Sequence, residues 1–120
     1  KKIDDSIEKI FNYLGNLPIG EIYLNSMDRD GTGQGYLFEI IDKLNHLIDI
    51  PLIIAGGAGN YKHFSEGLKH DSIDAVATAH LFNFVGNGLI NSRNKLLSEN
   101  NYLPLWDIKR LKKLKGSILQ

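Results

Sequence analysis

The chain contains no cysteine among its 120 residues. That excludes a disulfide framework, a thiolate nucleophile and any zinc site built on sulfur, and it suits a reducing cytoplasm, the location expected for it. An excess of one charge is missing too. Lysine and arginine total 14, aspartate and glutamate total 14, so no electrostatic footprint points to nucleic acid or to a membrane surface. No apolar run approaches the roughly 20 residues of a membrane-spanning helix, and no signal-peptide pattern opens the chain. Low-complexity segments and strict internal repeats are likewise missing. The opening residues, Lys1-Lys2-Ile3-Asp4-Asp5, run almost at once into a helical pattern and read as the interior of a longer chain. A length of 120 residues allows one small domain with a modest core, about half of what a barrel of eight strand–helix units requires.

What the chain does have is a regular alternation of helical and strand-like segments. Ile7, Ile10, Phe11 and Leu14 sit on one face of a helix over 5–14, with Asp5 and Ser6 available as caps. Gly15, Asn16 and Pro18 break it before a strand at 20–26. Leu37, Ile40, Ile41, Leu44 and Leu47 repeat the helical period and predict a helix over 36–48 whose apolar stripe covers a sheet. A strand at 50–55 is apolar throughout, as when both faces are buried. Asn60 caps a shorter helix with Phe64 and Leu68 inward, and a third strand follows at 73–77. Leu81, Phe82 and Phe84 suit a short helix, and Leu89, Ile90, Leu96 and Leu97 a weaker one. Strands alternating with helices imply an α/β fold with a parallel sheet, either a small open layer or a slice of a barrel. In the tail, Trp106, Ile108, Leu111 and Leu114 interleave with Lys109, Arg110, Lys112, Lys113 and Lys115. That basic amphipathic helix reads as a solvated surface element, although the same pattern can dock on a membrane or nucleic acid.

Each strand empties into residues suited to a reacting centre. The first ends in Asp28-Arg29-Asp30-Gly31-Thr32-Gly33-Gln34-Gly35, the second in Gly56-Gly57-Ala58-Gly59, the third in Thr78-Ala79-His80. Backbone N–H groups in such glycine loops can bind phosphate, most of all beside a short helix N-terminus. The same glycines also serve a tight strand-to-helix turn that needs positive φ and binds nothing. Asp30, at a strand mouth beside Gly31, is placed to meet a substrate as acid, base or hydrogen-bond acceptor. Asp28 and Arg29 read as an edge pair. His80 is either a cationic partner for phosphate or a structural imidazole. His46, His63 and His70 have no carboxylate–histidine spacing that suggests a metal and are expected at the surface.

The string from Gly20 through Thr32, with Gly35-Tyr36, resembles the HisF family, the cyclase subunit of imidazole glycerol phosphate synthase. Pro51 through Gly59, then His63-Phe64, resembles that family's seventh strand and its loop, and Asp74-Ala75 through Leu81-Phe82 its eighth. The resemblance runs in unbroken order from about residue 5 to 97. It implies the C-terminal portion of a (β/α)8 TIM barrel, roughly helix five to helix eight, over residues 1–98, with 99–120 as a separate tail. The family takes ammonia from a glutaminase of the HisH type and joins it to a phosphorylated ribulosyl-aminoimidazole nucleotide, a carbon–nitrogen lyase and cyclase reaction of histidine biosynthesis that uses no cofactor or metal.

Carried over by the resemblance, Asp30 matches the acidic residue at the mouth of strand six, with Gly31 beside it. Gly57, Ala79 and His80 match phosphate-site positions, with Gly56 adjacent. His80 stands where a small residue is expected. The principal acid–base carboxylates of the family lie on its first and fifth strands, which this sequence does not contain, so the segment alone is expected to be inactive. The stretch Phe84 through Asn91 also resembles HisF-like paralogues of surface-polysaccharide clusters, which deliver ammonia to a sugar amidotransferase. A non-catalytic phosphate-binding half-barrel is the remaining alternative. Three parallel strands leave open edges, so pairing with another copy or with the missing barrel half is expected.

Overall fold

The structure, a computed structural model, describes residues 5–44, 46, 47, 49–79 and 86–104. The expected short helix at Leu81–Phe84, residue His80 and the basic tail helix lie outside the described residues.

Helix α1 (Ile7–Leu14) starts at Ser6, whose hydroxyl accepts from the Lys9 N–H and so occupies one of the free donors of the first turn. Asp5 instead pairs with Lys9 on the exposed side at 3.3 Å. One face of α1 buries Phe11, and the helix stops at Gly15. Strand β1 (Ile22–Asn25) follows, then α2 (Phe38–Leu44), which buries Ile41 and Leu44. Strand β2 (Leu52–Ala55) leads into α3 (Tyr61–Leu68), capped by the Asn60 side chain on Lys62 N–H at 2.8 Å. The short strand β3 (Ala75–Val76) and the helix α4 (Gly88–Ser98) complete the described elements. Each element falls within a segment that the sequence pattern assigns to it, with strands shorter than expected because only the paired residues qualify.

The three strands form one parallel sheet in the order β1-β2-β3. Ile22 to Asn25 stand opposite Leu52 to Ala55, and Ile53 and Ile54 opposite Ala75 and Val76. Successive side chains of a strand point to opposite faces, and here the faces differ. Ile22, Leu52 and Ile54 enter a core with Phe11, Ile41, Leu44 and Phe64 from the helices. The alternate residues face away from the helices: Tyr23 and Asn25 are exposed and Ile53 is half-buried. The expectation that β2 is buried on both faces therefore holds at Leu52, Ile54 and Ala55, while Ile53 is only half-buried. No helix among the described residues is long and apolar enough to cross a membrane.

Candidate functional site

Because all three strands are parallel, their carboxyl ends open on one side of the sheet, where α/β folds gather their reactive groups. The loop after β1 is held by backbone bonds from Arg29 and Asp30 N–H to the Ser26 carbonyl, at 3.2 and 2.9 Å. Thr32 tightens it further, its hydroxyl donating to the Arg29 carbonyl at 2.7 Å. The two loops then meet: Gly35 N–H donates to the Gly57 carbonyl at 2.8 Å. His63 lies over the same junction. Its Nδ1 accepts from Gly59 N–H at 2.9 Å, and the ring faces Gly35.

The meeting of the loops explains two glycines without any ligand. Gly56 and Gly57 have φ of +87° and +102°, where only glycine is at ease. A β-carbon on Gly56 would strike the Ser26 carbonyl, and one on Gly57 the Gly35 carbonyl. Loop-to-loop packing thus demands bare backbone here, whatever else the backbone does.

Asp30, Gly31, Gly56, Gly57 and Ala79 line one cleft, with Ala58 and Thr78 completing its rim. Five of the six residues selected from sequence come together there, and the sixth, His80, lies outside the described residues. Ala58 and Thr78 join them, and their signal in the sequence is membership of the same strand-end strings. The enclosed space amounts to about 10 Å³, room for roughly one water. Asp28 goes elsewhere. It borders a separate, mostly apolar cavity of about 210 Å³ with Ile7, Leu24 and Ile40, so the two aspartates diverge from one turn. Asp28 and Arg29 are not paired with each other, unlike Lys9 and Asp5 at 3.3 Å.

The histidines need a correction. His46 is exposed as expected, but His63 and His70 are half-buried. His70 reaches Asp42 at 3.0 Å and stacks on Phe38 with ring centroids 5.6 Å apart. Both serve as ties between elements, which a spacing rule for metal ligands does not detect.

A family model described as "Histidine biosynthesis protein" matches residues 2–86. The chain belongs to that family. Its relatives narrow the branch to HisF. A protein of Parasynechococcus marenigrum, provisionally named imidazole glycerol phosphate synthase subunit hisF2, is 46% identical over 94 residues, 78% of this chain and 35% of its own length. The imidazole glycerol phosphate synthase subunit HisF of Clostridium botulinum strain 657 is 43% identical over 83 residues, covering 69% and 33%. That of Flavobacterium johnsoniae is 46% identical over 65 residues, covering 54% and 26%. The chain thus spans about a third or less of the length of these relatives. The α/β architecture with its parallel sheet agrees with a partial barrel of this family.

Proposed function

We propose that this chain is the part of a HisF-type cyclase that holds the substrate phosphate and contributes one carboxylate to the reaction. In this reading β1, β2 and β3 are the sixth, seventh and eighth strands of the barrel, and α1 is the fifth helix. The observation that carries it is the convergence of Asp30 and Gly31, Gly56 and Gly57, and Ala79 on one cleft at the carboxyl end of a parallel sheet. Three separate strand ends supply them, as expected of a barrel mouth.

The roles follow from the chemistry. The cleft offers backbone and small side chains, so a phosphate there is met by N–H groups; Asp30, its one ionisable side chain among the described residues, would repel a phosphate placed beside it. Asp30 is therefore assigned not to the phosphate itself but to the part of the ribulosyl-aminoimidazole nucleotide held next to it, as acid, base or acceptor in the ring-closing and carbon–nitrogen chemistry. Ammonia comes from a partner glutaminase of the HisH type. The remaining proton transfers belong to carboxylates on the first and fifth strands, outside this chain, so the segment by itself is inactive.

The test is ammonium-dependent turnover of that nucleotide by the protein as it is encoded, with ammonium salt replacing the glutaminase. Asp30→Asn keeps shape and hydrogen bonding but removes the charge. Turnover is expected to fall on the order of 10²-fold, as for loss of one acid–base or electrostatic group, with a smaller change in substrate affinity. Asp28→Asn is expected to be nearly silent, since Asp28 borders the other cavity. A crippled Asp28→Asn beside a normal Asp30→Asn would reverse the assignment. Complete absence of cyclase turnover in the unaltered protein would remove it and leave the ammonia-delivering paralogue, which the Phe84–Asn91 string favours, as the reading to pursue.

A further inference from the structure

One buried side chain touches the elements behind all three loops of the cleft. Tyr36 is 5% exposed and directly follows Gly35, the residue bonded to Gly57. Its hydroxyl donates to the Ala77 carbonyl at 3.1 Å, across 41 residues of sequence. Ala77 immediately precedes Thr78 and Ala79 at the cleft. On its other side, Ala77 N–H donates to the Ile54 carbonyl at 2.8 Å. The third strand end is thus fixed on one side by the sheet and on the other by Tyr36. The ring is packed as closely as its hydroxyl is bonded. A β-carbon on Gly67 of α3 would lie 2.6 Å from Val76 Cγ1 and 3.2 Å from the Tyr36 ring, so α3 presents bare backbone where the ring passes.

Phenylalanine would fill nearly the same space. What tyrosine adds is the hydroxyl bond, and a buried phenol is retained where that bond is made. The phenol is a protonated donor at neutral pH, and burial raises its ionisation further above the ordinary range.

We propose that Tyr36 is a positioning residue for the phosphate end of the site: through Ala77 its hydroxyl sets the backbone of Thr78 and Ala79 against the Gly56–Gly57 loop. The proposal rests on the reading above that these loops receive the substrate phosphate.

The experiment is titration of the encoded protein and its Tyr36→Phe variant with inorganic phosphate, with thermal melting in its absence. The phosphate Kd is expected to rise about 3- to 10-fold in the variant, the factor for one lost hydrogen bond, while melting stays cooperative. KM for the phosphorylated substrate should rise by a similar factor, with kcat changing less. A lower melting temperature with unchanged phosphate affinity would reduce Tyr36 to a structural role and overturn the proposal. If the unaltered protein binds no phosphate, this inference and the phosphate reading fall together. If it binds and Tyr36→Phe binds equally, only this inference falls. Should Tyr36→Phe not fold, a fluorinated tyrosine placed at position 36 alters the donor strength of the hydroxyl while filling the same space. Phosphate affinity that shifts with the donor strength of that hydroxyl supports the proposal, and unchanged affinity overturns it.

Discussion

Ile53 and Ile54 are the same residue type one position apart, yet they lie in different environments. Ile54 is 2% exposed, sealed by the helices; Ile53 points to the other face and is half-buried, beside Tyr23 at 61% exposure. The helices of this chain therefore close one face of the sheet unaided, while the other is covered unevenly: Ala55 is buried there, Ile53 half-buried and Tyr23 exposed. In a barrel of this family that second face would be the interior. Two faces of one sheet thus differ in how much packing each gives its side chains.

Ile54→Ala should give the largest effect. Removing a sealed side chain costs about 2–5 kcal/mol, lost transfer energy plus the cavity left behind. Ile53→Ala, in the chain described here, should cost less than half of that, as there is less packing to lose. Urea denaturation of both variants measures the ratio. Equal costs would show that the inner face is closed too, either by a second copy or by further barrel strands, and would break the comparison.

The same contrast explains what could be read from sequence. Helical periods at Ile7, Ile10 and Phe11 and at Ile40, Ile41 and Leu44 located the helices, because a helix buried on one side leaves that trace. The strand ends were legible since acids and glycines interrupt apolar runs abruptly. The half-exposure of Ile53 was not, because an apolar strand reads the same however fully its second face is covered. The contacts that hold the site together also left no local signal. Tyr36 to Ala77 spans 41 residues, and the approach of Gly57 to Gly35 spans two loops; proximity of that kind arises from topology alone.

Gly57 and Gly31 sharpen the comparison within the cleft. Both have positive φ, +102° and +77°, so alanine at either carries a backbone cost of about 1–2 kcal/mol. A β-carbon on Gly31 meets open space, whereas on Gly57 it strikes the Gly35 carbonyl and comes within 3.0 Å of Arg29 Cβ. Overpacking adds about 1–3 kcal/mol, so Gly57→Ala should cost about 2–5 kcal/mol and Gly31→Ala only the backbone share of about 1–2 kcal/mol by chemical denaturation. Gly31→Ala then becomes the informative probe of phosphate binding, since Gly57→Ala disturbs the loops whether or not an anion ever sits there. Matching costs at the two positions would mean that the Gly35 loop yields to a methyl group.

The smallest effect comes from the covered side and depends on pH. Burial, and to a lesser extent the neighbouring Tyr23, raises the ionisation of Tyr36 above the usual value of 10. A group whose folded pKa is raised contributes stability that is fully present below its unfolded pKa and is lost as pH rises toward the folded one. Below pH 10 the phenol is protonated in both states and contributes no slope. Above it the unfolded chain releases the proton first, and stability falls by up to about 1.4 kcal/mol per pH unit from this one residue. Tyr36→Phe should cost about 0.5–1.5 kcal/mol at neutral pH through the lost bond to Ala77. It should also flatten the alkaline decline, so that the two unfolding curves converge between pH 10 and 11. Denaturation midpoints taken at pH 7, 10 and 11 decide it. A variant that declines as steeply as the unaltered chain would show that Tyr36 ionises in the folded state as freely as in the unfolded one, and that the covered face admits water at the ring.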